Sequence, residues 1–106
     1  MELSDLTLDR ARALAGTTFA VGLPDGASTT VVLDEALPYD LRPHRRARAG
    51  HVPRRDPFAL YFLGDPAMIL PQGTYRLESA TATFEMLFIV PIGHDAQATE
   101  YEAVFT

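Results

Sequence analysis

Along the chain, apolar residues first recur loosely at helical spacing and then, from Thr17 onward, at every second position. Residues 4–15 predict a short helix. Ser4 is a fitting N-cap, Asp5 complements the positive end of the helix dipole, and Gly16 stands where a C′ glycine belongs. Leu3, Leu6, Leu14 and the alanines form its apolar face, while Thr7 would serve equally as the cap of a helix starting one turn later. Thr17–Val21 then alternates, Pro24-Asp25-Gly26 is a turn, and Thr29–Leu33 carries a β-branched run, which together predict a hairpin.

Leu37–Asp56 has no usable periodicity and contains Pro38, Pro43 and Pro53, so a long Pro- and Arg-rich loop is expected over 38–56. Four further strands follow. Phe58–Leu63 is apolar on both faces, as a central strand would be, and Gly64-Asp65-Pro66 ends it. Leu70-Pro71-Gln72-Gly73 turns into Thr74–Glu78, where Tyr75 and Leu77 alternate with polar residues. Thr83–Ile92 is the longest, and its uninterrupted run Met86-Leu87-Phe88-Ile89-Val90 predicts burial on both faces. Gly93–Ala98 reads as a hairpin loop, before a last strand in which Tyr101, Ala103 and Phe105 alternate with Glu100 and Glu102. The expected core is Phe58, Leu60, Phe62, Leu87, Phe88, Ile89, Val90 and Phe105.

Strands joined by short turns are antiparallel, because a parallel pair needs a crossover of about a dozen residues. The expected fold is therefore mainly β (α+β): about six antiparallel strands in a curled sheet, roll or partly open barrel, with a short N-terminal helix over one end or face. A length of 106 residues fits a single domain, 1–106. No stretch reaches the roughly 18–20 apolar residues that span a bilayer. The start, MELSDLTLDR, lacks the apolar segment of a secretory signal, so the expected compartment is the cytoplasm, with incorporation into an exported particle compatible.

Composition narrows the chemistry. Cysteine is absent, which excludes disulfides, thiolate metal sites and cysteine nucleophiles. Lysine is absent too, and all nine bases are Arg. That usage reflects either a GC-rich genome or a use for planar, bidentate donors, and it excludes a lysine Schiff base or phosphate-loop lysine. The net charge of −5 conceals an asymmetry. Residues 42–55, RPHRRARAGHVPRR, hold six Arg and no acid, for +6, while the rest holds three Arg against fourteen acids, for −11.

That basic segment is the strongest candidate site, through Arg42, Arg45, Arg46, Arg48, Arg54 and Arg55. Its arginines fit docking onto an acidic protein partner or a neighbouring copy. A solvated loop neutralised by the chain's own acids is the plainer alternative. Nucleic acid is the least favoured occupant, because an acidic body repels a polyanion and no aromatics interleave for stacking. His44, His51 and His94 match no familiar metal spacing, so no metal and no cofactor are expected. Ser4, Ser28 and Ser79 lie in no nucleophile-elbow context, and the pairs Asp34-Glu35 and Glu100 with Glu102 read as solvent-facing acids. In the last strand such acids would also discourage pairing along a sheet edge. No catalytic constellation is recognised, and an enzyme is not expected.

The strings RRDPFALYFLG at Arg54–Gly64, LPQGTYRLE at Leu70–Glu78 and LFIVPIGHDAQATEYEAVF at Leu87–Phe105 resemble an uncharacterised family of bacterial proteins of about this length. AGTTFAV at Ala15–Val21 is similar to it as well. The resemblance covers most of the chain and is weakest in the Pro-rich loop after Tyr39. It implies genes that often neighbour those of phage-tail-like or tail-collar proteins, and no assigned catalytic residues. The expected function is thus a non-enzymatic structural or assembly protein acting through protein–protein contacts or as a homo-oligomer. The alternative is a small module binding an anionic ligand or nucleic acid through the Arg segment.

Overall fold

A computed structural model describes residues 6–38 and 57–105. One helix, α1 (Leu8–Ala13), precedes six strands: β1 (Thr18–Gly22), β2 (Ser28–Pro38), β3 (Phe58–Gly64), β4 (Gly73–Glu78), β5 (Thr83–His94) and β6 (Thr99–Phe105). The helix is capped by Thr7, whose side chain accepts from the Arg10 N–H at 3.2 Å. The later of the two starts is therefore the one used, and Ser4 lies outside the described residues. Leu6 and Ala11 join the core from this end, and Arg12 Nε donates to the Ala36 carbonyl of β2 at 3.4 Å.

All strand pairs are antiparallel, and the sheet closes in the order β1-β2-β3-β6-β5-β4. The closing seam is two residue pairs, Ala20↔Glu78 and Val21↔Leu77. The barrel is thus fully closed, where a roll or partly open barrel also fitted the sequence. Closure also makes β6 an interior member between β3 and β5, so its acids guard no edge.

Tight turns make the hairpins. Between β1 and β2, Gly26 sits at φ +87°, the left-handed region that a side chain disfavours, and Asp25 accepts from the Ala27 N–H at 2.9 Å. Between β5 and β6, Asp95 accepts from the N–H groups of Gln97 and Ala98 at 2.8 and 3.0 Å. Gly93 and His94, expected in that loop, extend β5 instead.

The interior is filled by side chains. Phe19 packs edge-on to Phe62 (centroids 6.1 Å apart) and tilted against Phe84 (5.5 Å), while Phe58 stacks on Phe105 at 5.0 Å. Tyr101 is fully buried, and its hydroxyl accepts from the Leu70 N–H at 2.8 Å. A Cβ at Gly64 would stand 3.1 Å from the Tyr101 ring and 3.2 Å from Val31, so any larger residue at this strand position requires these neighbours to shift by a few tenths of an ångström.

Three bulges shape the sheet. Each opposes an extra residue of one strand to its partner: at Asp34 in β2, at Glu85–Met86 in β5 opposite β4, and at Ile92 in β5 opposite β6. An odd insertion exchanges the inward and outward faces beyond it. In β2, Val31 and Leu33 point inward before the bulge and Ala36 after it, which carries the strand to Pro38 rather than ending it at Leu33. In β5, Phe84 is inward before the bulge and Leu87 and Ile89 after it, so Met86 and Phe88 face outward. This corrects the expected core. Met86 is 69% and Phe88 51% exposed, and Val90 is only half-buried, because a closed barrel has a single interior and nothing described covers β5 from outside.

Candidate functional site

The six arginines singled out in the sequence, Arg42, Arg45, Arg46, Arg48, Arg54 and Arg55, all lie outside the described residues, as do His44 and His51. Two of the other candidates make hydrogen bonds to the backbone. His94 ends β5 with Nε2 2.9 Å from the Pro66 carbonyl. Ser79 Oγ donates to the Ala82 carbonyl at 2.9 Å and accepts from the Ala82 N–H at 3.0 Å, which occupies it in the β4–β5 turn. The Gln97 and then the Ala98 N–H hold the exposed Asp95 carboxyl below its ordinary pKa of 3.8. Among the described residues no three His, Asp or Glu side chains come together as a metal site. No helix there is long and apolar enough to cross a membrane.

What the strands do bring together is an outer surface. Register aligns Leu37 and Val104 across β2 and β6 on either side of Ala59 in β3, which is itself fully buried. One row along, Glu35, Tyr61, Glu102 and Val90 align across β2, β3, β6 and β5. The Tyr61 hydroxyl donates to Glu102 at 2.9 Å, so this carboxylate is held in place on the face rather than trailing in solvent. Phe88 and Met86 continue the outward side of β5 from Val90. Val104 and Leu37 are 42% and 40% exposed, and Ile92, in its bulge, is 47%. On the far side of β5 the surface turns polar. Arg76 of β4 pairs with Glu85 at 3.0 Å and Glu78 at 3.2 Å, and the hydrogen bond to Glu85 is the main cause raising its pKa.

Sequence reasoning placed Phe88 and Val90 in the core and so missed this surface. The available signal was Glu85, a charge at the same strand parity as the buried Leu87 and Ile89, which marks a break in register between Phe84 and Leu87.

A family model described as a domain of unknown function, DUF6916, matches residues 6–105. The chain belongs to the DUF6916 family. The match takes in α1 and all six strands of the closed barrel. Neither the curated proteins nor the solved structures contain a match to this DUF6916 chain.

Proposed function

We propose that this protein is a non-enzymatic structural or assembly component that works through protein–protein contacts, in a particle of the phage-tail type. The observation that supports the reading is the outward run Met86, Phe88 and Val90 of β5 beside Val104 of β6, since soluble monomers rarely leave large apolar side chains grouped on one face. The interior, packed with aromatic rings, serves stability. The described serine, histidine and carboxylate candidates are engaged in turns, strand ends and the Tyr61 hydrogen bond or stand exposed, with no partner geometry for proton transfer between them. The described residues carry ten acids (fourteen less Glu2, Asp5, Asp40 and Asp56) against Arg10, Arg12 and Arg76, which disfavours nucleic acid as the occupant. The six arginines of residues 42–55 would add docking contacts to an acidic partner surface.

Gradient sedimentation of lysate from cells that make the protein naturally tests this, with the chain followed by antibody. The expected result is migration with high-mass particles, lost on Phe88→Ser. A chain that sediments only as a small free species throughout the life of the culture overturns the assembly role.

A further inference from the structure

We infer that the edge of β5 from Phe84 to Ile89 accepts an added strand, an extended segment of another protein that is apolar along its length and basic where it meets Glu102. The inference deepens the assembly reading and rests on it for the kind of occupant, a protein. Although the barrel closes, its ladders do not run the length of every strand. β5 pairs with β4 from Thr83 to Ile89, and with β6 only from Val90, opposite Glu102, to His94. Past that point β6 continues beside β3 and β5 beside β4. Among the described residues, Phe84–Ile89 therefore has a strand neighbour on one side only. In an antiparallel strand every second residue directs both N–H and C=O to the same side, so alternate residues of this stretch present them away from β4. The same stretch carries Met86 and Phe88, the most exposed large apolar side chains among the described residues. A strand laid beside it would complete the ladder and cover both side chains at once.

The seam between β1 and β4 is the other short ladder. Past its two pairs, β4 runs from Gly73 to Arg76 without β1 beside it. The exposed side chains there are Thr74 and Arg76, and Arg76 already pairs with Glu78 and Glu85, so that edge lacks the apolar surface found on β5. At the β5 edge an added strand meets apolar side chains on both of its faces, Leu87 and Ile89 inward and Met86 and Phe88 outward. Where β5 and β6 part stands Glu102, its carboxylate held by the Tyr61 hydroxyl at 2.9 Å. The other charged residues of β2, β3 and β6 are Asp34, Glu35 and Glu100, all acids. A wholly apolar strand would cover Glu102 without a counter-charge, which is costly, and an acidic one would add like charge. A base at that end is the complement.

Fluorescence anisotropy of a labelled, blocked peptide, a run of valines with an arginine at each end, titrated with the purified full chain tests the proposal. The expected result is saturable binding that weakens at least about tenfold for Phe88→Ser, as loss of an anchor does, with circular dichroism matching the wild type. Replacing the end arginines by glutamate should weaken binding too, and Glu102→Gln should weaken the arginine peptide but not one with neutral ends. N-methylation of alternate peptide amides separates an added strand from a side-chain contact. One alternating set should abolish binding and the other leave it, because only one edge of the added strand pairs. By amide hydrogen exchange, alternate residues of Phe84–Ile89 should exchange rapidly in the free chain and become protected by the peptide. Uniform protection in the free chain would mean that the edge is already covered and overturns the proposal. So does an absence of binding at about millimolar peptide, or the same effect from both methylated sets. If the chain still sediments with particles in lysate after such a failure, the assembly role survives without the strand. A chain that binds the peptide but never joins a particle keeps the strand-accepting edge and loses the assembly role.

Discussion

Phe84 and Phe88 stand four residues apart on β5, and an unbroken strand would place both on one side. The bulge at Glu85–Met86 separates them: Phe84 is fully buried against Phe19, and Phe88 is half in solvent. Replacing each with Ala should therefore give very different costs. For Phe84 the loss is a buried aromatic plus the cavity it leaves, about 3–5 kcal/mol. For Phe88, about half of the roughly 1.5–3 kcal/mol gained by burying such a side chain is at stake, so about 1 kcal/mol. A domain of this size holds roughly 5–15 kcal/mol in total, which leaves Phe84→Ala marginal and Phe88→Ala comfortably folded. In melting temperature the gap should be roughly 10 °C or more, at about 4–8 °C per kcal/mol. Urea denaturation followed by far-ultraviolet circular dichroism measures both, at protein concentrations low enough that self-association adds nothing to apparent stability. Equal costs for the two substitutions would mean that the bulge does not exchange the faces of β5, and the outer apolar surface would go with it.

Two further outcomes follow from single hydrogen-bonding groups. Tyr101→Phe removes the acceptor of the buried Leu70 N–H and should cost about 1–3 kcal/mol in urea denaturation, because the amide is left without a partner away from water. Asp95 has its folded pKa depressed below 3.8 by the Gln97 and Ala98 amides, so its contribution is present above the unfolded value and disappears as pH falls through the folded one. An Asp95→Asn variant should accordingly lose less stability than wild type on acidification below about pH 4, and parallel acid titrations of the two would contradict the assignment.

Much of this architecture is legible in the residues. The alternation of Tyr101, Ala103 and Phe105, the turn at Asp25-Gly26 and the short spacing between apolar runs all point to antiparallel neighbours, and the six strands form near those positions. Phe58, Leu60 and Phe62 are buried as a doubly apolar strand implies, although Tyr61 and Leu63 on the other face are only half-buried. Closure was less accessible, because it rests on a two-pair seam between β1 and β4, strands far apart in sequence whose local pattern holds no record of each other. The extension of β2 was hidden by Asp34-Glu35, which looks like the end of a strand and is instead the place where one extra residue turns the faces over.

The error in β5 has the same origin and more consequence for function. An unbroken apolar run states how much surface a strand must hide, not from what direction it is hidden. In a doubly covered sheet both faces of Met86–Val90 would be satisfied within one chain; in a closed barrel of six strands only Leu87 and Ile89 can be. The remaining demand is transferred to the surface. The same apolar residues that made the strand easy to recognise are then the ones unaccounted for by folding. Tyr61 fixing Glu102 among them argues against a patch left over by drift, since a carboxylate anchored beside apolar side chains restricts which surfaces can approach.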